Sequence, residues 1–122
     1  MKTIDEYKLL QESLYDHETK ILETQTLCKS LSGLIVPLIT ITNFSDSNFE
    51  NKKMIFIQGR VHPGETNSSW VIHGLIRALL MNNHLARTLR SLFIFQIIPM
   101  INPDGVVFGN YRTSFLGKDM NR

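Results

Sequence analysis

Cysteine is almost absent from this chain: Cys28 stands alone among 122 residues, so no internal disulfide can form. Its apolar neighbour Leu27, and the lack of a histidine close by in sequence, mark it as a buried thiol rather than a nucleophile. Long hydrophobic runs are missing as well. The longest mainly apolar stretch, residues 92–101, is too short to cross a bilayer, and Lys2, Asp5 and Glu6 put charge where a signal peptide requires an apolar segment. A cytosolic location without membrane partners is expected. Neither sign of charge prevails: thirteen Lys and Arg face eleven Asp and Glu for a net charge of +2, interspersed, so no basic tract is offered to nucleic acid. No Gly-rich loop follows the first apolar strand, which argues against a nucleotide-binding α/β domain. Repeats and low-complexity stretches are absent too. What is there, 43% apolar and 20% charged residues, is the composition of one soluble globular domain at most.

Thr3 and Glu6 form a capping box followed by Ile4, Tyr7, Leu10 and Leu14 at helical spacing, which predicts an amphipathic helix to about Asp16. Residues 24–30 and 34–42 are β-rich runs joined by Leu31-Ser32-Gly33, a hairpin in which Pro37 argues for an edge strand. The polar stretch 43–53 reads as an exposed loop. Residues 54–58 and 92–98 are nearly continuous apolar runs, as in strands buried on both faces of a largely parallel sheet. Between them, over about 65–81, Ile72, Leu75, Ile76, Leu79 and Leu80 form one helical stripe. The expected class is α/β: a mixed sheet, hairpin plus parallel strands, with packed helices. Ligands of such sheets bind beyond the carboxyl ends of the strands, where His62 and Asn102 follow the two apolar runs.

The quartet His62-Pro63-Gly64-Glu65 places an imidazole and a carboxylate three residues apart at such an end. Pro63 and Gly64 forbid a regular helix between them, so the pair sits on a strand-to-helix turn and not on one helix face. Both side chains are ordinary zinc ligands, and a catalytic zinc takes three protein ligands plus a water. Two of the three are offered here. Downstream come three turns, Asn102-Pro103-Asp104-Gly105, Gly109-Asn110-Tyr111-Arg112 and Gly117-Lys118-Asp119-Met120-Asn121-Arg122. Taken alone, Arg112 reads as an exposed loop arginine, and Asp119 with Arg122 as a local surface ion pair. His17, His73 and His84 follow no strand end and are assigned no metal role, and Trp70 reads as a packing residue near its helix start. Gly105, Gly109 and Gly117 are expected to supply turn conformations.

In order and spacing, residues 60–122 resemble the zinc carboxypeptidases. The wording Arg-Val-His-Pro-Gly-Glu-Thr-Asn-Ser-Ser-Trp, with Ile-Ile-Pro-Met-Ile-Asn-Pro-Asp-Gly-Val, looks like their cytosolic branch. The resemblance implies Zn²⁺ held by His62 and Glu65, Arg112 stabilising the oxyanion of a tetrahedral intermediate, and Asn121 and Arg122 gripping the terminal carboxylate of the substrate. It implies protein or peptide C-termini as partners, among them polyglutamylated tubulin with a microtubule association, and removal of C-terminal or side-chain-linked glutamates as the activity. In that family a second zinc histidine, a glutamate general base and further substrate-pocket residues follow the Asn-Arg pair, and a β-rich domain precedes in the cytosolic branch. Residues 1–122 are therefore expected to be the amino-terminal portion of a catalytic domain, truncated and inactive by itself. The alternative is a non-catalytic binding or pseudoenzyme module that recognises acidic tails.

Overall fold

A φ of +86° at Gly33 closes a hairpin between β1 (Leu22–Lys29) and β2 (Ile35–Ile41) in the computed structural model, which describes Asp5, Glu6, Leu9 and residues 20–122. The register runs from Leu22 opposite Ile41 to Lys29 opposite Ile35, slipping between Thr26 and Cys28. The helix expected up to Asp16 lies, apart from Asp5, Glu6 and Leu9, outside the described residues, as does His17.

A short 3₁₀ turn, Phe49–Asn51, leads from the polar loop into β3 (Lys53–Gln58), which runs parallel to β4 (Phe93–Ile98) with Lys53 opposite Phe93 and Gln58 opposite Ile98. β4 also pairs antiparallel with β2 from Ile39 to Ile41, giving the order β1-β2-β4-β3. The sheet is mixed, as expected, but Pro37 lies on an inner strand and not an edge. It faces Thr26 at the register slip and beyond the three residues of β2 that pair with β4, so its missing N–H interrupts no regular ladder there.

Helix α1 (Asn67–Leu80) buries Ile72, Ile76, Leu79 and Leu80 against Ile39, Ile41, Phe95 and Ile97 of the sheet, with Leu75 partly buried beside them. Each such side chain contributes about 1.5–3 kcal/mol when fully withdrawn from water. A second helix, α2 (His84–Leu92), was not foreseen. Asn83 caps it by accepting the Ala86 N–H at 2.9 Å. Its Arg90 is 1% exposed and donates to the carbonyls of Leu79 and Met81, satisfying the end of α1; burial lowers its pKa to about 10.

The opposite sheet face carries a smaller cluster, Val36, Leu38 and Ile98 with Ile101. Met54 and Phe56 of β3 remain 58% and 55% exposed, so this strand is covered on one face and not two. Cys28 is exposed as well, contrary to the buried thiol expected: it lies on edge strand β1 close to the hairpin tip, where the residues 25–29 are all exposed.

Candidate metal and substrate site

β3 and β4 leave the sheet together. Gly59 donates its N–H to Ile98 O at 2.9 Å, and its carbonyl accepts from Ile101 N at 3.0 Å. Asn102, 2% exposed, then ties the two strand exits: its Nδ2 donates to Val61 O (3.1 Å) and Thr113 O (3.4 Å). Its Oδ1 accepts the Gly105 N–H at 3.0 Å and so caps the short helix α3 (Pro103–Val107), which replaces the simple turn expected there. The His62 turn and the Asn102 turn thus share one rim of the sheet.

His62 is 8% exposed and sits between two carboxylates. Its Nδ1 lies 3.0 Å from Glu65 Oε1 and its Nε2 lies 3.0 Å from Asp119 Oδ1. Glu65 first and Asp119 second raise the His62 pKa above its ordinary value. Asp119 also accepts the Arg112 Nε–H at 2.7 Å and the main-chain N–H of Asn121 at 2.9 Å, while Arg122 Nε stands 3.8 Å away. The Asn121 N–H, ahead of Arg112 and His62, holds the Asp119 carboxyl down at about 2 in spite of its partial desolvation.

His62, Arg112, Arg122 and the main-chain N–H of Asn121 meet at Asp119, and Glu65 joins them through the His62 ring. Glu65 and Arg122 are exposed, Arg122 with 77% of its side chain in solvent, so this carboxylate and the downstream guanidiniums open on water, while the His62 ring between them is buried. Asp119, expected to pair with Arg122 alone, has Arg122 as its most distant partner and His62 and Arg112 as the close ones. A signal existed. A metal-bound histidine ordinarily gives its second ring nitrogen to a carboxylate or carbonyl, which directs attention to the one acid beside the Asn-Arg pair. Trp70, read as a packing residue, is 72% exposed and lines an open cleft of about 550 Å³ with Arg60, Thr66, Ser69 and His73.

The donor set fits zinc at two positions. Two ligands about 2.1 Å from one ion at a tetrahedral angle stand about 3.4 Å apart, close to the 3.0 Å between His62 Nδ1 and Glu65 Oε1. Asp119 occupies the other ring nitrogen, the carboxylate–histidine arrangement that orients a metal ligand. Among the described residues no group of three His, Cys, Asp or Glu side chains is set to hold an ion.

The class follows from comparison with known sequences: residues 8–122 match the zinc carboxypeptidase family, and the chain belongs to it. Within that class it is 45% identical over 118 residues to cytosolic carboxypeptidase 1 of Homo sapiens, covering 91% of this chain and 10% of the relative. It is 48% identical over 107 residues to human cytosolic carboxypeptidase 2, covering 86% of this chain and 12% of that protein. The chain therefore spans about a tenth of the length of these curated relatives. Among solved structures, a metallo-carboxypeptidase from Burkholderia cenocepacia is similar with a TM-score of 0.76 at 26% identity, over 97% of this chain and 31% of its own. No helix among the described residues is long and apolar enough to cross a membrane.

Proposed function

We propose that these residues form the His-Glu half of a zinc site in a carboxypeptidase of the cytosolic type, which trims glutamates from the C-termini or side-chain branches of proteins such as tubulin. The observation that carries the reading is the placement of His62, with Nδ1 facing Glu65 and Nε2 facing Asp119. His62 and Glu65 would hold the metal, which when bound lowers the pKa of its water and polarises a carbonyl. Arg112, fixed through Nε on Asp119, presents the rest of its guanidinium to developing negative charge on the substrate oxygen. Arg122, with Asn121 beside it, supplies a planar two-pronged donor for the terminal carboxylate, a grip that a lysine point charge reproduces poorly. For an acidic substrate the downstream turns carry three cationic side chains, Arg112, Lys118 and Arg122. Two protein donors are one short of the usual three, so the 122 residues in isolation are expected to bind zinc weakly and to show no turnover.

The test is equilibrium dialysis with elemental analysis of the folded chain. At matched free zinc, more metal bound by the parent than by His62→Ala or Glu65→Ala is the expected result; metal content in His62→Ala equal to that of the parent refutes the ligand assignment. A glutamate-rich peptide should bind with its free terminus and lose affinity on C-terminal amidation or on Arg122→Ala. Equal binding of amidated and free peptides favours instead a module that recognises acidic tails without gripping their ends.

A further inference from the structure

Among the described residues Arg60 is the sole non-glycine with a positive φ, +54°, a backbone state that an L-side chain holds only when its surroundings impose it. It lies two residues before His62. Its main-chain N–H donates to Ser68 Oγ at 3.1 Å. Its guanidinium turns back over the loop: Nε donates to Pro63 O at 2.9 Å and Nη1 to Ser69 Oγ at 3.0 Å. Ser69 belongs to the first turn of α1, so one side chain links the strand exit, the Pro-Gly turn and the helix start.

The Pro63 carbonyl belongs to the peptide unit whose N–H is that of Gly64, and that N–H donates to Tyr111 O at 2.7 Å. Both polar ends of this one peptide are therefore gripped, by Arg60 on the carbonyl side and by the Tyr111 carbonyl on the amide side. The peptide lies midway between His62 and Glu65. Pro63 has its φ set by its ring, while Gly64 has the widest choice of any residue. The orientation of this peptide thus sets how the backbone presents the imidazole and the carboxylate to each other.

We infer that Arg60 is a positioning residue: by clamping the Pro63–Gly64 peptide it fixes the separation of His62 and Glu65, an inference that rests on reading those two side chains as metal donors. Its guanidinium is engaged within the turn and the helix start, so its role is to shape the donor pair rather than to meet an acidic substrate. Arg60 borders the open 550 Å³ cleft, so water can take its place at the Pro63 carbonyl, but water holds that carbonyl in no fixed direction.

Arg60→Gly separates positioning from bulk stability, because glycine adopts the positive φ without strain while deleting the clamp. Zinc titration of the 122-residue chain, followed through the His62 ring resonances, should show about tenfold weaker binding in Arg60→Gly, the scale of loss typical of groups that orient metal ligands. Its thermal unfolding midpoint should stay at or above that of the parent, and hydrogen exchange at the Gly64 amide should accelerate even without zinc. Arg60→Lys, which keeps one donor, should recover part of the affinity. Unchanged zinc affinity together with unchanged Gly64 exchange in Arg60→Gly overturns the inference, as does a loss of affinity that only follows a fall in the unfolding midpoint. A parent chain whose His62 resonances ignore zinc overturns instead the metal reading beneath it.

Discussion

Gly105 is the residue at which the two site-bearing turns close on each other. A Cβ built there meets Pro63 Cγ well inside contact distance, the Thr113 carbonyl at 2.7 Å and Asn102 Oδ1 at 2.9 Å. None of these neighbours is the free end of a flexible chain: one is a ring in the His62 turn, one is backbone, and one is the cap of α3. Gly105→Ala should therefore cost about 2 kcal/mol by overpacking and displace Pro63, and with it both donors. Gly64→Ala offers a control of the same size. The Cβ there meets the Tyr111 ring, but that side chain is 74% exposed and can swing away, so a cost below about 1 kcal/mol is expected. Urea unfolding of the two variants checks the order, and a Gly64→Ala loss that equals or exceeds that of Gly105→Ala would show that the turns are not locked together. At this scale the sequence was legible where chemistry is local. His62 and Glu65 are three residues apart and need only a turn to meet, whereas Asp119 reaches His62 across 57 residues, a juxtaposition that only the packed turns create.

Among the elements, the hairpin and α3 are joined by one buried carboxylate. Asp104, 5% exposed in the first turn of α3, accepts the hydroxyls of Ser30 (2.6 Å) and Ser32 and the Ser32 N–H (3.3 Å) from the β1–β2 connection. The Ser30 and Ser32 hydroxyls, which bond the charged form, hold its pKa below the usual carboxylate value despite burial. A group depressed on folding contributes stability above its unfolded pKa, about 3.9 for Asp, and that contribution is lost as pH falls through the folded value. Asp104→Asn should thus be less stable than the parent at pH 7, with the difference shrinking below about pH 4. Thermal unfolding of both proteins from pH 7 to pH 3 measures this, and parallel curves would show that the carboxylate is not linked to folding. The hairpin itself was readable from Gly33 between two β-rich runs, and α1 from its apolar stripe. Helix α2 did carry a signal, Leu85, Leu89 and Leu92 at helical spacing behind the Asn83 cap, but a weak one: Leu85 and Leu92 are 68% and 53% exposed, Leu89 is only partly buried, and the buried contact to α1 comes from a charged residue, Arg90. Pro37 misled for a related reason: proline is excluded from regular ladders, and the bulge that admits it depends on register with the partner strand.

For the molecule as a whole, site and core are arranged around one sheet with unequal faces. One face is sealed by α1, and the rim at the carboxyl ends of β3 and β4 carries His62 and Asn102. The other face is covered at one end by Ile101, while β3, at the sheet edge, presents Met54 and Phe56 to water. An edge strand with unpaired backbone groups and two large apolar side chains is a template for pairing with another chain. The isolated 122 residues are therefore expected to self-associate as concentration rises, through this edge and not through the charged rim. Phe56→Lys combined with Met54→Gln should suppress the association, because both side chains point away from α1 and their replacement removes no core contact. The same double substitution should change folding stability by less than about 0.5 kcal/mol, as for exposed positions generally. Sedimentation velocity over a concentration series reads the first expectation and urea unfolding the second. If the variant associates as strongly as the parent, the contact lies elsewhere. If it unfolds, Met54 and Phe56 belong to the core after all, and the sheet is sealed on both sides, as the continuous apolar pattern of the run had first implied.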